Sequence, residues 1–146
     1  MPNLEEIYSL RELDVAQAAR YLDVEPGDRE PYGSYGRLEG LDVLKSPEVP
    51  AIRFFLKGDS VELVYIGRAA FPPGLTEGSL RAAFNEPQTE FLRSRQGRMG
   101  EMAVMAEAGI AWSSLGEELG WIELFRPRSF EQYQHDIYEP PPMFIH

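Results

Sequence analysis

The stretch AIRFFLKGDSVELVYI, residues 51–66, carries the strongest structural signal in the sequence. It contains two short apolar runs, residues 51–56 and 61–66, separated by the polar segment 57–60. Runs rich in β-branched and aromatic residues that are joined by a turn with Gly and Asp are typical of a β-hairpin. The pattern therefore predicts two adjacent antiparallel strands at the centre of the fold.

The region before this hairpin reads as a helix followed by a loop. Apolar residues within 4–24 follow the three-and-four spacing of an amphipathic helix, and Pro26 and Gly27 end it. Residues 27–40 contain four glycines among polar residues, which favours a loop. We therefore divide the chain into an N-terminal helix and loop, residues 1–37, and a main domain, residues 38–146.

The region after the hairpin reads mainly as helices. Thr76 and Ser129 are suited to cap helices that begin at the next residue, the second of which is expected to run to about Tyr138. Residues 91–95 and 100–108 also favour helix, whereas 121–125 is a compact apolar strand. These elements predict an α+β fold with a three-stranded antiparallel sheet flanked by helices and an N-terminal accessory helix.

Composition limits the classes of function. The 146 residues include no cysteine, which excludes disulfides and cysteine nucleophiles. No apolar run approaches the roughly 18 residues that span a bilayer, and the first residues are acidic, so we expect a cytoplasmic protein without membrane contact. The 14 basic and 24 acidic residues give a net charge of −10. Such a field repels polyanions unless the bases are gathered in one patch.

One cluster of bases offers such a patch. Arg93, Arg95 and Arg98 lie within six residues of each other and form the candidate nucleic-acid contact. The sequence contains no glycine-rich phosphate loop and no Gly-x-Ser-x-Gly elbow. Its two histidines are not spaced as metal ligands. The remaining candidates for chemistry therefore lie in and after the hairpin.

The end of the hairpin resembles a known family. Tyr65-Ile66-Gly67 is similar to the second signature of the GIY-YIG nucleases, and Ala51-Ile52-Arg53 stands where the first signature is expected, with eleven residues between them. Arg81, Glu131 and the pair Pro140-Pro141 follow in the order in which family members carry an arginine, a glutamate and prolines. The first-strand tyrosine is replaced by Arg53, and Met143 stands near the position of the family's asparagine.

The resemblance covers residues 38–146 and implies a role for each matched residue. Tyr65 would relay a proton from the attacking water, and Arg81 would clamp the phosphate, with Arg68 and Arg53 as further cations. Glu131 would hold Mg²⁺ or Mn²⁺. Each residue also has a structural interpretation: Tyr65 packs a strand end, Arg81 pairs with Glu77, and Glu131 complements a helix dipole.

Two functions from different classes follow. The first is a nucleic-acid-binding domain that acts as a metal-dependent endonuclease on DNA. The second is a catalytically inactive domain of the same fold that binds another protein, which the acidity, Arg53 and the unmatched asparagine favour. Besides these two, a third interpretation is an unrelated acidic α+β adaptor in which Tyr65-Ile66-Gly67 matches the signature by coincidence. The sequence leaves open which of them applies, and it leaves the oligomeric state open as well.

Overall fold

A computed structural model describes residues 3–84, 89–93, 101–115 and 118–140, with the backbone alone at 114 and 115. The described residues form one eight-stranded antiparallel sheet, with the strands in the spatial order β1-β2-β3-β4-β8-β7-β6-β5. The strands are β1 (Glu30–Tyr35), β2 (Leu38–Ser46), β3 (Val49–Lys57), β4 (Ser60–Gly67), β5 (Glu90–Arg93), β6 (Glu101–Met105), β7 (Ile110–Leu115) and β8 (Glu118–Leu124).

Four short α-helices accompany this sheet in the described ranges. They are α1 (Leu4–Ser9), α2 (Val15–Leu22), α3 (Glu77–Ala83) and α4 (Phe130–Asp136). Single 3-10 turns lie at Leu10–Glu12, Pro26–Asp28, Arg68–Ala70 and Ala106–Ala108. None of the helices in these ranges has the length and apolar character needed to cross a membrane.

The expectation of a three-stranded sheet flanked by helices is wrong, because the sheet has eight strands. Three of the predicted elements account for four of the five additional strands, and the fifth, β7, lies where no element was predicted. The predicted loop 27–40 contains β1 and the start of β2, and the predicted helices at 91–95 and 100–108 are replaced by β5 and β6. Alanine and methionine favour helix in 100–108, but β6 pairs with β5 and β7 on its two sides. Tertiary pairing overrides local propensity there.

The central hairpin is confirmed. β3 pairs with β4, and the turn places Gly58 at φ +60°. This left-handed conformation is available to glycine without steric cost, so the turn residue and the flanking apolar runs agree. β4 then pairs with β8, which joins the first four strands to the last four. The predicted strand at 121–125 is thereby placed at the middle of the sheet.

The sheet is covered on both sides. The side that we call the three-helix face packs against α1, α2 and α3 through a large apolar cluster. The opposite side, the α4 face, packs against α4 through a second cluster that includes Tyr133 and Ile137. Because successive side chains of a strand point to opposite faces, Phe54 belongs to the three-helix face and Phe55 to the α4 face.

The hairpin formed by β1 and β2 reaches α4. The backbone N–H of Arg37, in the turn between these strands, donates to the carbonyl oxygen of Ile137 at 3.0 Å. The Arg37 Nε donates to the carbonyl oxygen of Tyr138 at 2.9 Å. The first hairpin of the sheet and the end of the last helix are therefore joined over the α4 face.

The caps of two helices were predicted correctly. The side chain of Thr76 accepts a hydrogen bond from the N–H of Ser79 at 3.1 Å, and the side chain of Ser129 accepts one from the N–H of Gln132 at 3.1 Å. Side-chain oxygens satisfy N–H groups that a first helical turn leaves without partners. The single helix predicted over 4–24 is in fact divided into α1 and α2, and Asp14 caps the second of them.

Candidate functional site

Three polar side chains lie in one row across the α4 face. Arg53 of β3 is directly opposite Tyr65 of β4, and Tyr65 is directly opposite Glu123 of β8. Side chains that are opposite each other on neighbouring antiparallel strands lie about 4.5–5.5 Å apart at Cβ. A guanidinium, a phenol and a carboxylate are thus brought together by the pairing of β3, β4 and β8.

Glu123 is completely buried and is held by two phenols. The hydroxyl of Tyr133 donates to its Oε1 at 2.7 Å, and the hydroxyl of Tyr35 donates to its Oε2. Removing a carboxyl group from water is costly unless it is hydrogen-bonded, and here each oxygen has a partner. Glu123 therefore connects the β1–β2 hairpin, the sheet and α4, and it is closed to a ligand.

Tyr65 is half-buried between two aromatic rings. Its ring centroid lies 6.5 Å from that of Tyr35 and 6.4 Å from that of Trp121. Burial raises the pKa of Tyr65 above its ordinary value; Arg53 lowers it, whereas the charge of Glu123 and the phenol of Tyr32 raise it further. A raised pKa leaves a smaller fraction of phenolate at neutral pH, so Tyr65 is less available to take a proton from water.

Arg53 is exposed on the same face. Within the part of the chain that the structure describes, its guanidinium forms no ion pair and no hydrogen bond. Lys45 of β2 is also exposed and lines the same groove as Arg53. Asp28 and Glu30 line this groove as well, so two basic and two acidic side chains border it.

The structure does not bring Arg81 to this row. Arg81 belongs to α3, which packs on the three-helix face through Leu80, whereas Tyr65 belongs to the α4 face. Its Nε lies 3.9 Å from Oε1 of Glu77, and its Cζ lies 5.2 Å from the ring centroid of Phe91. The predicted pairing with Glu77 is thus present, and the sheet separates Arg81 from Tyr65.

Glu131 and Arg68 are also placed apart from the row. Glu131 is exposed in the first turn of α4, two residues before the buried Tyr133, so the two side chains point in different directions. Arg68 follows β4 and lies 3.5 Å from Glu118. Among the described residues there is no group of three or more side chains suited to hold a metal ion. Glu131 therefore belongs to no such group.

The basic cluster is described only in part. Arg93 ends β5 at one edge of the sheet, and its carbonyl oxygen accepts a hydrogen bond from the hydroxyl of Tyr138 at 3.0 Å. Arg95 and Arg98 lie outside the described residues. The proposed nucleic-acid contact is therefore represented here by Arg93 alone.

No protein-family model, no curated protein and no solved structure matches this chain. The resemblance to the GIY-YIG nucleases consequently depends on the sequence motifs alone. Of the residues matched to that family, Arg53 and Tyr65 lie together, whereas Arg68, Arg81 and Glu131 do not join them.

Sequence reasoning missed the residues that complete the row. Tyr35 is far from Glu123 along the chain and Tyr133 is ten residues from it, and the three meet only because the sheet and α4 bring them together. One signal was present, since Glu123 is a single acid inside the apolar strand segment 121–125. A charged residue in a strand that is buried on both faces requires partners, and this signal identifies the residue without identifying the partners.

Proposed function

We propose that this protein is a non-catalytic protein-interaction module. Its binding surface, the Arg53 surface, consists of Tyr32, Lys45, Arg53 and Tyr65 on the α4 face. The observation that carries the proposal is the contrast within the row: Glu123 is closed by two phenols, whereas its neighbours Tyr65 and Arg53 remain open to solvent. We expect the module to act in the cytoplasm, as its composition predicts.

The composition of the Arg53 surface supports this proposal. Tyrosine and arginine are enriched among residues that dominate the energy of protein interfaces. Tyr32 is 45% exposed and packs its ring 4.7 Å from that of the buried Phe55. An aromatic side chain whose ring already packs on a buried neighbour loses little conformational entropy when a partner covers it. The surface is therefore prepared for contact with a protein.

The charge of the molecule favours a protein over a nucleic acid. A net charge of −10 repels a polyanion at long range, and the Arg53 surface contains only two cations to oppose this. The separation of Arg81 and Glu131 from Tyr65 supports a surface without hydrolytic chemistry. Both arguments favour the binding of a protein over an endonuclease activity, although the eight-stranded sheet is not the fold that the sequence assigned to either function.

A pair of photo-crosslinking variants tests the proposal. Tyr32 and Tyr21 have similar exposure, 45% and 40%, and their rings pack on Phe55 and Phe54, which face opposite sides of the sheet. A photoreactive phenylalanine is placed at either position, and the protein is irradiated in cells. We expect a discrete protein adduct from position 32, lost when Arg53→Ala is added, and none from position 21. Equal adducts from both positions would contradict the proposal.

A nicking assay tests the other function. Supercoiled plasmid is incubated with the protein and Mg²⁺ or Mn²⁺, and we expect no cleavage above that of a metal-only control. Metal-dependent cleavage that disappears in Glu131→Ala and in Tyr65→Phe would overturn the proposal and support the endonuclease. The Glu5→Ala variant, which removes an exposed acid from the first turn of α1, serves as the matched control.

A further inference from the structure

We infer that residues 33–40, at the end of the β1–β2 hairpin, form a strap that swings between the closed position of this structure and an open one. Closure packs the ring of Tyr35 beside the Arg53 surface, so a partner bound to that surface favours the closed strap. The opening of the strap is independent of the proposed function, whereas its coupling to a partner rests on that function.

The strap folds back over the α4 face instead of continuing the line of the sheet. β2 pairs with β3 from Asp42 onwards. Tyr35 is opposite Leu38, four residues before Asp42, so a straight hairpin would carry it about 13 Å past the point where that pairing begins. Its ring centroid instead lies 5.1 Å from that of Phe55, and its hydroxyl reaches Glu123 of β8. The hairpin is therefore bent between its base and its tip.

Two glycines lie where the hairpin bends. Gly33 of β1 has φ +111° and Gly40 of β2 has φ +67°, and the pairing of the two strands shifts register on both sides of Gly33. A Cβ atom at either position would meet no heavy atom within 4 Å. These positions therefore favour glycine for its backbone conformation and not for lack of space. Because register shifts of this kind bend a strand, we assign the hinge of the strap to Gly33 and Gly40.

The tip of the closed strap is fastened by polar contacts. In addition to the Tyr35 hydroxyl, Arg37 donates from its backbone N–H to the carbonyl oxygen of Ile137 at 3.0 Å and from Nε to that of Tyr138 at 2.9 Å. β1 itself is the end strand of the sheet and is exposed at all but its last residue. Segments that bury few apolar side chains open at a lower free energy than the core. We therefore expect the strap to open while the core stays folded.

Opening of the strap takes a neighbour away from the Arg53 surface. The ring of Tyr35 lies 6.5 Å from that of Tyr65, and the rings of Tyr35 and Tyr32 both pack on Phe55. Two of the residues that form the surface thus share contacts with the strap. Binding and closure are linked, so a partner stabilises the closed strap by the same factor by which closure strengthens binding.

Hydrogen exchange of the ¹⁵N-labelled protein, followed by NMR, tests the strap. We expect the protection factor of the Arg37 amide to be at least about tenfold below that of Val64 in β4, and to change little in low urea. Gly33→Ala should lower the protection of Arg37 about tenfold further, because alanine disfavours the positive φ of the closed bend. Gly27→Ala adds the same methyl group in open space and without a positive φ, and it should change this protection less than about twofold.

Equal protection of Arg37 and Val64, or an equal response to the two glycine variants, would overturn the strap. Crosslinking from position 32 in the Arg37→Ala variant tests the coupling, since this residue lies outside the Arg53 surface. We expect the yield of the adduct to fall about fivefold with the loss of one tip hydrogen bond.

The failures of the two proposals are distinguishable. An unchanged adduct in Arg37→Ala would overturn the coupling and leave the proposed function in place. Absence of the adduct without that substitution would remove the proposed function and the coupling together. The exchange rates require no partner, so they decide the strap in either case.

Discussion

The two faces of the sheet differ in what they bury. The three-helix face is covered by three helices and packed with apolar side chains such as Phe54. The α4 face is covered by one short helix and the β1–β2 hairpin, and it contains the buried carboxylate of Glu123 among tyrosines. The first arrangement stabilises the fold without directional contacts, whereas the second fixes specific groups in place and leaves the Arg53 surface beside them open.

Substitution of two neighbouring buried phenylalanines is expected to have the largest effect on stability. Phe54 and Phe55 are both buried, at 0% and 1% exposure, and face opposite sides. Phe54→Ala and Phe55→Ala should each lower the free energy of unfolding by about 3–5 kcal/mol, measured by urea denaturation. Only Phe55→Ala should also reduce crosslinking at Tyr32, which packs on it. A cost below about 1 kcal/mol for either would refute the packing described here.

Substitution of the buried carboxylate is expected to have the second largest effect on stability. Each carboxylate oxygen of Glu123 accepts a hydrogen bond from one phenol hydroxyl, and Glu123→Gln replaces one of these oxygens by an amide nitrogen. The substitution should lower the free energy of unfolding by about 1–3 kcal/mol. Glu118→Gln, in the same strand but with an exposed side chain, should cost about 0–1 kcal/mol. Chemical denaturation of the two variants checks this. Equal costs would mean that Glu123 does not connect the hairpin and α4 as described.

The loss of folding stability at alkaline pH is expected to be a smaller effect. The pKa of Tyr65 is raised in the folded state, mainly by burial, so folding favours the protonated phenol. The stability that this group contributes is therefore complete below its unfolded pKa near 10 and is lost as the pH rises through the higher folded value. Tyr65→Phe should flatten the fall of stability above pH 10, measured by denaturation across pH. An unchanged profile would argue against the buried environment of Tyr65.

Substitution of two arginines is expected to have the smallest effect on stability. The comparison distinguishes an arginine that stabilises the fold from one that is available for binding. Arg29 donates from Nε to Asp42 and from Nη1 to the carbonyl oxygen of Gly58, both at 2.8 Å, whereas Arg53 has no such contact among the described residues. Arg29→Ala should cost about 1 kcal/mol, and Arg53→Ala less than about 0.5 kcal/mol. Thermal unfolding measures both. A large loss for Arg53→Ala would show that this residue stabilises the fold rather than binds.

The elements that were predicted correctly carry their signals locally. The central hairpin has two apolar runs and a turn glycine within sixteen residues, and Thr76 and Ser129 cap helices that begin next to them. The elements that were missed depend on distant partners. β1 and the start of β2 lie in a glycine-rich segment that reads as loop, and β6 consists of residues that favour helix until β5 and β7 pair with it.

The candidate site divides in the same manner. Arg53 and Tyr65 belong to one hairpin, so the sequence places them on neighbouring strands, but the register that sets them opposite each other depends on a β-bulge between Phe55 and Leu56. Arg81 and Glu131 matched the family order, yet their positions relative to Tyr65 depend on which face α3 covers and on which side of α4 points to solvent. Sequence order contains neither of these facts.

The sequence alone determined the charge of the protein, its lack of cysteine, the central hairpin and two helix starts, because these depend on composition or on contacts within a few residues. Only the tertiary structure decided that eight strands form one sheet and that Glu123 meets Tyr35 and Tyr133. It also decided that Arg53 stands open beside a groove. Strand pairing and helix docking join residues far apart in the chain, and their free energy depends on the whole set of partners rather than on any one segment.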